Sequence, residues 1–184
     1  RAQFDACSKS PQGDSKITVV RVVPARVHLR ALSAADLGIP KPLRADAWAE
    51  KFDLAVVINA GMFGTDWRTH LGYLKLRAEH LNNPAIRDDY KSVLVFDPRE
   101  KGPEAALGMD RAGRLLFIFC RTPYSMFEFS HCLLDLPLGL VAAQHLEGGG
   151  AAALVIRTPR LHKVLFGGYE TTREGRDTEQ GDQG

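Results

Sequence analysis

The chain reads as an α+β protein: a twisted mixed sheet, mostly antiparallel, packed with one to three helices. Three observations carry that expectation. Strand-like apolar runs outnumber helical ones. The helical segments do not alternate regularly with the strands, as a doubly wound parallel sheet would require. One segment carries a full helix-start signature, Ser125 with Glu128 three residues on, the spacing of a capping box.

Ile17–Val23 is a β-branched run that ends at Pro24, and Ala25–Leu32 continues it with alternation at Val27 and Leu29. Together they predict a strand pair or one interrupted strand. Gly38–Pro42 is a loop, and Leu43–Lys51 has helical periodicity with Asp46 and Glu50 on a solvated face. Leu54–Ile58 has the character of a short buried strand, stopped by Asn59–Ala60–Gly61. Val93–Phe96 and Leu115–Phe119 predict two more strands. The second is introduced by the turn Asp110–Gly113, with Arg99–Ala106 as a connection before the hairpin. Ser125–Leu134 predicts a helix that packs Met126, Phe129 and Leu133 against the sheet, with His131 as a packing residue, and Pro137 stops it. Val164–Phe166 is a final strand. Residues 1–170 form the expected domain, and 171–184 are a polar, glycine-rich tail expected to be disordered.

Bulk composition narrows the function classes. The chain's 184 residues make one domain on length, with 45% hydrophobic and 25% charged residues, ordinary values for a globular protein. A formal net charge of +2 and no long basic block give no reason to expect nucleic acid. No apolar run reaches the length of a membrane span and no signal peptide is visible. Cys7, Cys120 and Cys132 are an odd count without zinc spacing. Cys120, inside an apolar run, reads as a buried and inert thiol. Spacing does not decide whether Cys7 pairs with Cys132, so the cysteines leave the compartment open.

The most informative stretch is Leu138–Gly150, where an apolar approach ends in Glu147 and three consecutive glycines, Gly148, Gly149 and Gly150. Three glycines are entropically costly, so a loop that keeps them needs positive φ or close backbone approach. Their amides beside a carboxylate form either an anion-binding nest or a flexible turn, and sequence weighs the two equally. The loop is not a P-loop, because no Lys–Ser/Thr pair follows.

The second candidate is the strand end Asn59–Ala60–Gly61, leading on to Trp67 and His70. Side chains at a sheet end commonly build sites. Asn59 suits a substrate hydroxyl or a neighbouring carboxylate, and an Asx turn is the plain alternative. Arg121 follows the strand Leu115–Cys120, where a guanidinium can clamp a phosphate. His145, Asp110 and Ser125 make a triad only on paper, since no serine sits in a strained elbow. No histidine pair has metal-ligand spacing, and the sequence leaves any cofactor or metal requirement open.

Taken in order, several of these segments resemble the phosphodiester glycosidase family, the uncovering-enzyme type of domain, in a bacterial branch. They are Asn59–Phe63 followed by Gly72, then Gly108–Met109–Asp110–Arg111–Ala112–Gly113–Arg114–Leu115–Leu116–Phe117, and then Glu147–Gly150. Members of that family carry a GxDxxGRLxF hairpin, then a helix, then a Leu–Asp–Gly–Gly–Gly–Ser loop, and the likeness runs roughly from Val56 to Tyr169. This chain departs from them in three ways. Ala151 stands where the family has Ser, Glu147 replaces Asp, and the Arg99–Ala106 segment is short.

The resemblance implies a hydrolase for a glycosidic phosphodiester or related sugar-phosphate substrate, exported to the periplasm or secreted. Glu147 and Asn59 would be its catalytic residues, and Gly61, Arg121, Gly148, Gly149 and Gly150 would bind substrate. The alternative it allows is a carbohydrate-binding or sugar-phosphate-binding module of the same fold without turnover. The partner in either case is a small sugar-phosphate or glycan, with neither nucleic acid nor a membrane span involved.

Overall fold

The computed structural model describes residues 2–5, 13–61, 74–77, 80–83, 102–167 and 178–180. Strands dominate: β1 (Ala2–Asp5), β2 (Lys16–Val22), β3 (Val56–Ile58), β4 (Leu74–Arg77), β5 (His80–Asn83), β6 (Gly102–Asp110), β7 (Leu115–Tyr124), β8 (Leu140–Gly148), β9 (Ala153–Thr158), β10 (Leu161–Phe166) and β11 (Thr178–Gln180). Among the described residues two α-helices accompany them, α1 (Ala45–Lys51) and α2 (Met126–Asp135). The fold is α+β. Among the described residues every strand pairing is antiparallel.

The strands form a five-stranded sheet ordered β1-β2-β7-β6-β8, a four-stranded sheet ordered β11-β10-β9-β3, and the small β4-β5 pair. Period-two alternation explains how the sheets stack. On β2, Val19 joins a core with α2, while Val20 joins a core between the sheets. On β7, Ile118 and Phe119 divide in the same way, and on β9 Leu154 and Ile156 face the larger sheet while Val155 faces α1. The layers are therefore α2, the five-stranded sheet, the four-stranded sheet and α1. Adjacent strand residues are buried on both sides, which is why these runs read as continuous hydrophobic segments.

α2 forms as its sequence predicts. Ser125 Oγ accepts from Glu128 N at 3.3 Å, and Ser125 N donates to Glu128 Oε2 at 2.8 Å, a complete capping box. Phe129 and Leu133 are buried with Cys132, and Met126 packs beside them. Removing such a cap typically costs about 1 kcal/mol. His131, expected to pack, is instead exposed. One ring nitrogen lies 2.9 Å from the Phe127 carbonyl, and the ring lies tilted against exposed Phe127, centroids 4.1 Å apart. One residue pair at i and i+3 does not define the buried stripe, which is set by Phe129 and Leu133.

Two further expectations are corrected. Ala25–Leu32 is not a strand, because Pro24 lacks the N–H needed to continue a ladder and opens a 3₁₀ turn, Pro24–Arg26. Val27 and Leu29 beyond it are exposed. Arg99–Ala106 is not merely a connection, because Gly102–Ala106 forms the first half of β6, paired with both β7 and β8. Pro103 is accommodated at the register irregularity between Gly102 and Glu104, near the strand start, where a missing donor is tolerated. Thr178–Gln180, within the expected tail, pairs with β10. The Val93–Phe96 strand, Trp67 and His70 lie outside the described residues.

The β6–β7 turn is organised by Asp110. Its Oδ1 accepts from Ala112 N and Arg114 N, both at 3.0 Å, and its Oδ2 lies 2.8 Å from Arg114 Nε and 3.2 Å from Arg21 Nε. Gly113 supplies the positive φ of +70° that the turn needs. Desolvation pushes the Asp110 carboxyl upward. The hydrogen bonds from Arg114 and Ala112 and the Arg114 charge outweigh it, and the group titrates below the usual range.

A carboxyl with a depressed folded-state pKa contributes stability above its unfolded pKa, and loses it as pH falls through the folded value. Asp110→Asn should therefore melt below the wild type at pH 7. Melting curves followed to acid pH should show that gap closing below about pH 4, the ordinary aspartate range. A gap that is independent of pH would mean that the Asp110 charge does not stabilise the turn.

Candidate functional site

Asn59, Arg121 and the glycine loop are linked through the starts and ends of β9 and β10. β3 delivers Asn59, whose Oδ1 accepts from Ala153 N at 3.0 Å. Ala153 begins β9, just past the loop that Glu147 opens at the end of β8. Asn59 thus holds one end of the glycine loop and Glu147 stands at the other. The Asn59 Nδ2 is buried and has no hydrogen-bond partner among the described residues. Gly61, two residues on, takes φ +106°, a conformation that favours glycine.

The loop itself is a 3₁₀ turn, Gly149–Ala151, closed by Ala152 N donating to Gly149 O at 3.2 Å. Its opening amides, those of Gly149 and Gly150, belong to the first turn and have no acceptor within it. Gly149 sits at φ +58°, with open space where a Cβ would be. Gly148 is tighter, since a Cβ there would lie 3.1 Å from both Glu104 Oε2 and Pro103 O. Gly167, just past β10, packs against the loop so closely that a Cβ would collide with the Gly149 carbonyl oxygen and lie 2.9 Å from Pro103 Cβ. Gly167 N also donates to Ala152 O at 2.9 Å.

Arg121 arrives from the larger sheet on β7, and its Nε donates to Phe166 O at 3.2 Å. Burial lowers its basicity, partly offset by the charge of Asp14, and an arginine so placed remains a cation. Arg44 lies over the Phe166 ring at 4.3 Å from the centroid. Two guanidiniums therefore flank the residue that precedes Gly167.

Beneath the loop lies a pair that residue-by-residue reading passed over. Glu104 on β6 and His145 on β8 meet at 2.6 Å, Oε2 to Nε2, with each side chain only 8% exposed. The ladder sets Glu104 opposite Gly148, Ala105 opposite Glu147 and Ala106 opposite His145, with an irregularity between Ala105 and Ala106. Burial raises the Glu104 carboxyl, against the lowering effect of its hydrogen bond and charge interaction with His145. The signal that could have found it is a lone Glu inside the apolar run Pro103–Leu107. His145 was legible only as a member of the paper triad, and the structure dissolves that triad: Asp110 organises the hairpin and Ser125 caps α2.

Cys120, opposite Glu104 in the β6–β7 register, is fully buried, and its thiol is pushed up to about 12, chiefly by burial. It is protonated and inert, as expected from sequence. Cys132 is disulfide-bonded, while Cys7 lies outside the described residues. Among the described residues no group of three His, Cys, Asp or Glu side chains could hold a metal ion, and no helix is long and apolar enough to cross a membrane.

With this geometry in hand, the chain was compared with known proteins. It matches no family model, no curated protein and no solved structure.

The glycines separate two kinds of damage. Gly149→Ala meets no atom and should cost only the left-handed backbone penalty, roughly 1–2 kcal/mol. Gly167→Ala must displace the Gly149 carbonyl, so urea denaturation should show a larger loss. Equal losses would mean that the loop is not pinned by Gly167.

Proposed function

We propose that this chain hydrolyses a glycosidic phosphodiester or a related sugar-phosphate substrate at the glycine loop. The observation that carries the reading is Asn59. One end of its amide fixes the loop exit, while the other is a buried donor without a described partner. Buried donors are almost always satisfied, so an unpaired one beside a glycine loop fits a site that receives an acceptor-rich ligand. A sugar phosphate is such a ligand.

Each residue then has a role drawn from its chemistry. The Gly148–Gly150 amides and Arg121 hold phosphate oxygens and offset charge on the departing phosphate. Asn59 donates to a sugar hydroxyl, the Gly61 backbone lies beside the same ligand, and Glu147 supplies a carboxylate for acid–base work or positions the group that does. The disulfide at Cys132 supports a periplasmic or secreted setting, where disulfides persist. A net charge of +2 fits a small-molecule ligand rather than nucleic acid.

One observation favours a second reading, a sugar-phosphate-binding module without turnover: Ala151 brings no hydroxyl to the turn that faces the ligand. A screen of the purified chain against aryl and sugar phosphodiesters, with and without divalent metal, separates the two. The hydrolase reading expects turnover, and a loss of about 100-fold or more in Glu147→Gln, the scale of an acid–base group. Binding of the sugar phosphodiester without hydrolysis would establish the module. Neither binding nor turnover would remove both readings.

A further inference from the structure

We propose that residues 26–32 are a strand-addition site that takes an extended peptide with acidic and apolar residues in alternation. The inference is independent of the hydrolase reading. The segment has the composition of a strand but no sheet. Residues 23–32 read Val-Pro-Ala-Arg-Val-His-Leu-Arg-Ala-Leu, where Pro24 is the one residue of the kind that builds turns. β2 ends at Val22, and the 3₁₀ turn Pro24–Arg26 takes the chain off the sheet. Val27 then returns to extended backbone, φ −141° and ψ 156°. Every residue from 23 to 31 is exposed. Among the described residues, 28–32 make no backbone–backbone hydrogen bond. Their N–H and C=O groups stand open to a second strand, the condition for β-strand addition.

Charge says what that second strand carries. No Asp or Glu occurs between Lys16 and Asp36, a stretch that holds Arg21, Arg26, His28 and Arg30. Among the described residues the Arg26 and His28 side chains make no hydrogen bond or ion pair. Arg30 is met by the Phe52 ring alone, 5.5 Å from the centroid. In an extended strand side chains alternate, so Arg26, His28 and Arg30 take one face and Val27 and Leu29 the other. A partner strand presents its own residues directly opposite, on the same two faces. Asp or Glu fits the first face. Aliphatic side chains fit the second, where Val27 is 44% and Leu29 52% exposed.

The same pairing rule excludes a second copy of the segment. Antiparallel pairing centred on His28 sets Arg26 against Arg30, and parallel in-register pairing sets each cation against itself. Like charges directly opposite are destabilising. An anionic lipid surface fits less well, because it is recognised by clusters of about four to eight lysines or arginines and makes no use of open backbone groups. The segment also leaves β2 at the end remote from the glycine loop. Val22 faces Leu115 in the β2–β7 register, whereas Ile17 faces Cys120, the neighbour of Arg121.

The test uses the full chain and a fluorescein-labelled, end-capped heptapeptide, Glu-Val-Glu-Val-Glu-Val-Glu, followed by fluorescence anisotropy and located by amide NMR. Binding should weaken about tenfold or more in Arg26→Ser/Arg30→Ser, which removes two interfacial cations. Leu29→Pro should weaken it comparably, since it keeps the charges and removes a backbone donor. Higher salt should weaken it as well, because exposed charges are screened. One of two peptides N-methylated at alternate residues should lose binding, because a strand pairs through one of its two edges. Amide shifts should centre on 26–32. No binding of the parent peptide at about 1 mM, the scale of the weakest specific contacts, overturns the proposal. Equal binding of both N-methylated peptides, or of a peptide with its glutamates grouped together, also overturns it, in favour of a plain anion site. Shifts centred elsewhere overturn it, and so does binding to phosphatidylglycerol vesicles without binding to the peptide. Unchanged melting temperatures are expected of the variants, as for exposed residues generally. Should one misfold, the wild-type measurements with the modified peptides decide.

Discussion

The site depends on a contact made without side chains. Gly167 lies against the Gly149 carbonyl and against Pro103, joining the end of β10 in one sheet to the loop and the β6 start belonging to the other. Backbone can approach backbone this closely only where no Cβ intervenes. Once that approach is made, the other ties fall within reach: Gly167 N to Ala152 O, Arg121 Nε to Phe166 O, and Ala153 N to Asn59 Oδ1. A glycine-rich loop would otherwise be the most mobile part of the fold. Here it is held from β3, β7 and β10, a condition for amides to act as preorganised donors.

The sheet stack explains why the polar residues gather at this end. In the middle of the inter-sheet space, Val20, Phe119, Leu154 and Leu165 close a dry core. Dispersion and burial fill it, and an unpaired polar group there would cost on the order of 1–3 kcal/mol. On β7, Arg121 follows Phe119 on the same face one pleat later, three residues before the strand ends at Tyr124. The strand that supplies core thus supplies the cation.

Much of this was legible in the sequence because it is encoded locally. The capping box of α2, the Asp110–Gly113 turn and the buried run around Cys120 each depend on residues a few positions apart. Asn59 was legible as a residue at a strand end, and the structure ties it to Ala153, just past the glycine loop. What was not legible depends on pairing between distant segments. Pro103 made Gly102–Ala106 look like a connection, because a proline in a strand is admissible only where the ladder is irregular, and that irregularity belongs to the partner β7. Glu104 and His145 are separated by 41 positions, and only the β6–β8 register brings them together. Val27 and Leu29 failed in the opposite direction: their alternation is local, but no described strand lies beside them, and they remain exposed.

Local rules are broken in a cluster at this end of the molecule. Gly149 and Gly61 hold positive φ, Asn59 Nδ2 is buried without a described partner, and Glu104 is a carboxyl raised by burial. The buried cores follow the ordinary pattern, with aliphatic and aromatic side chains filling alternating faces, although Ser15 and Asp53 also hold positive φ and Thr122 Oγ1 is also buried without a described partner. A chain selected only for stability would relieve such a cluster, for instance by replacing the Glu104–His145 pair with apolar residues of similar volume, a change that is often neutral or stabilising in proteins. Its persistence around one loop fits the view that a foldable sequence violates its own packing rules where it must meet something else. The same logic separates Asp110 from Glu104. Asp110 is surrounded by donors that hold its charge, so it serves the hairpin, whereas Glu104 is opposed by burial and answered by one imidazole.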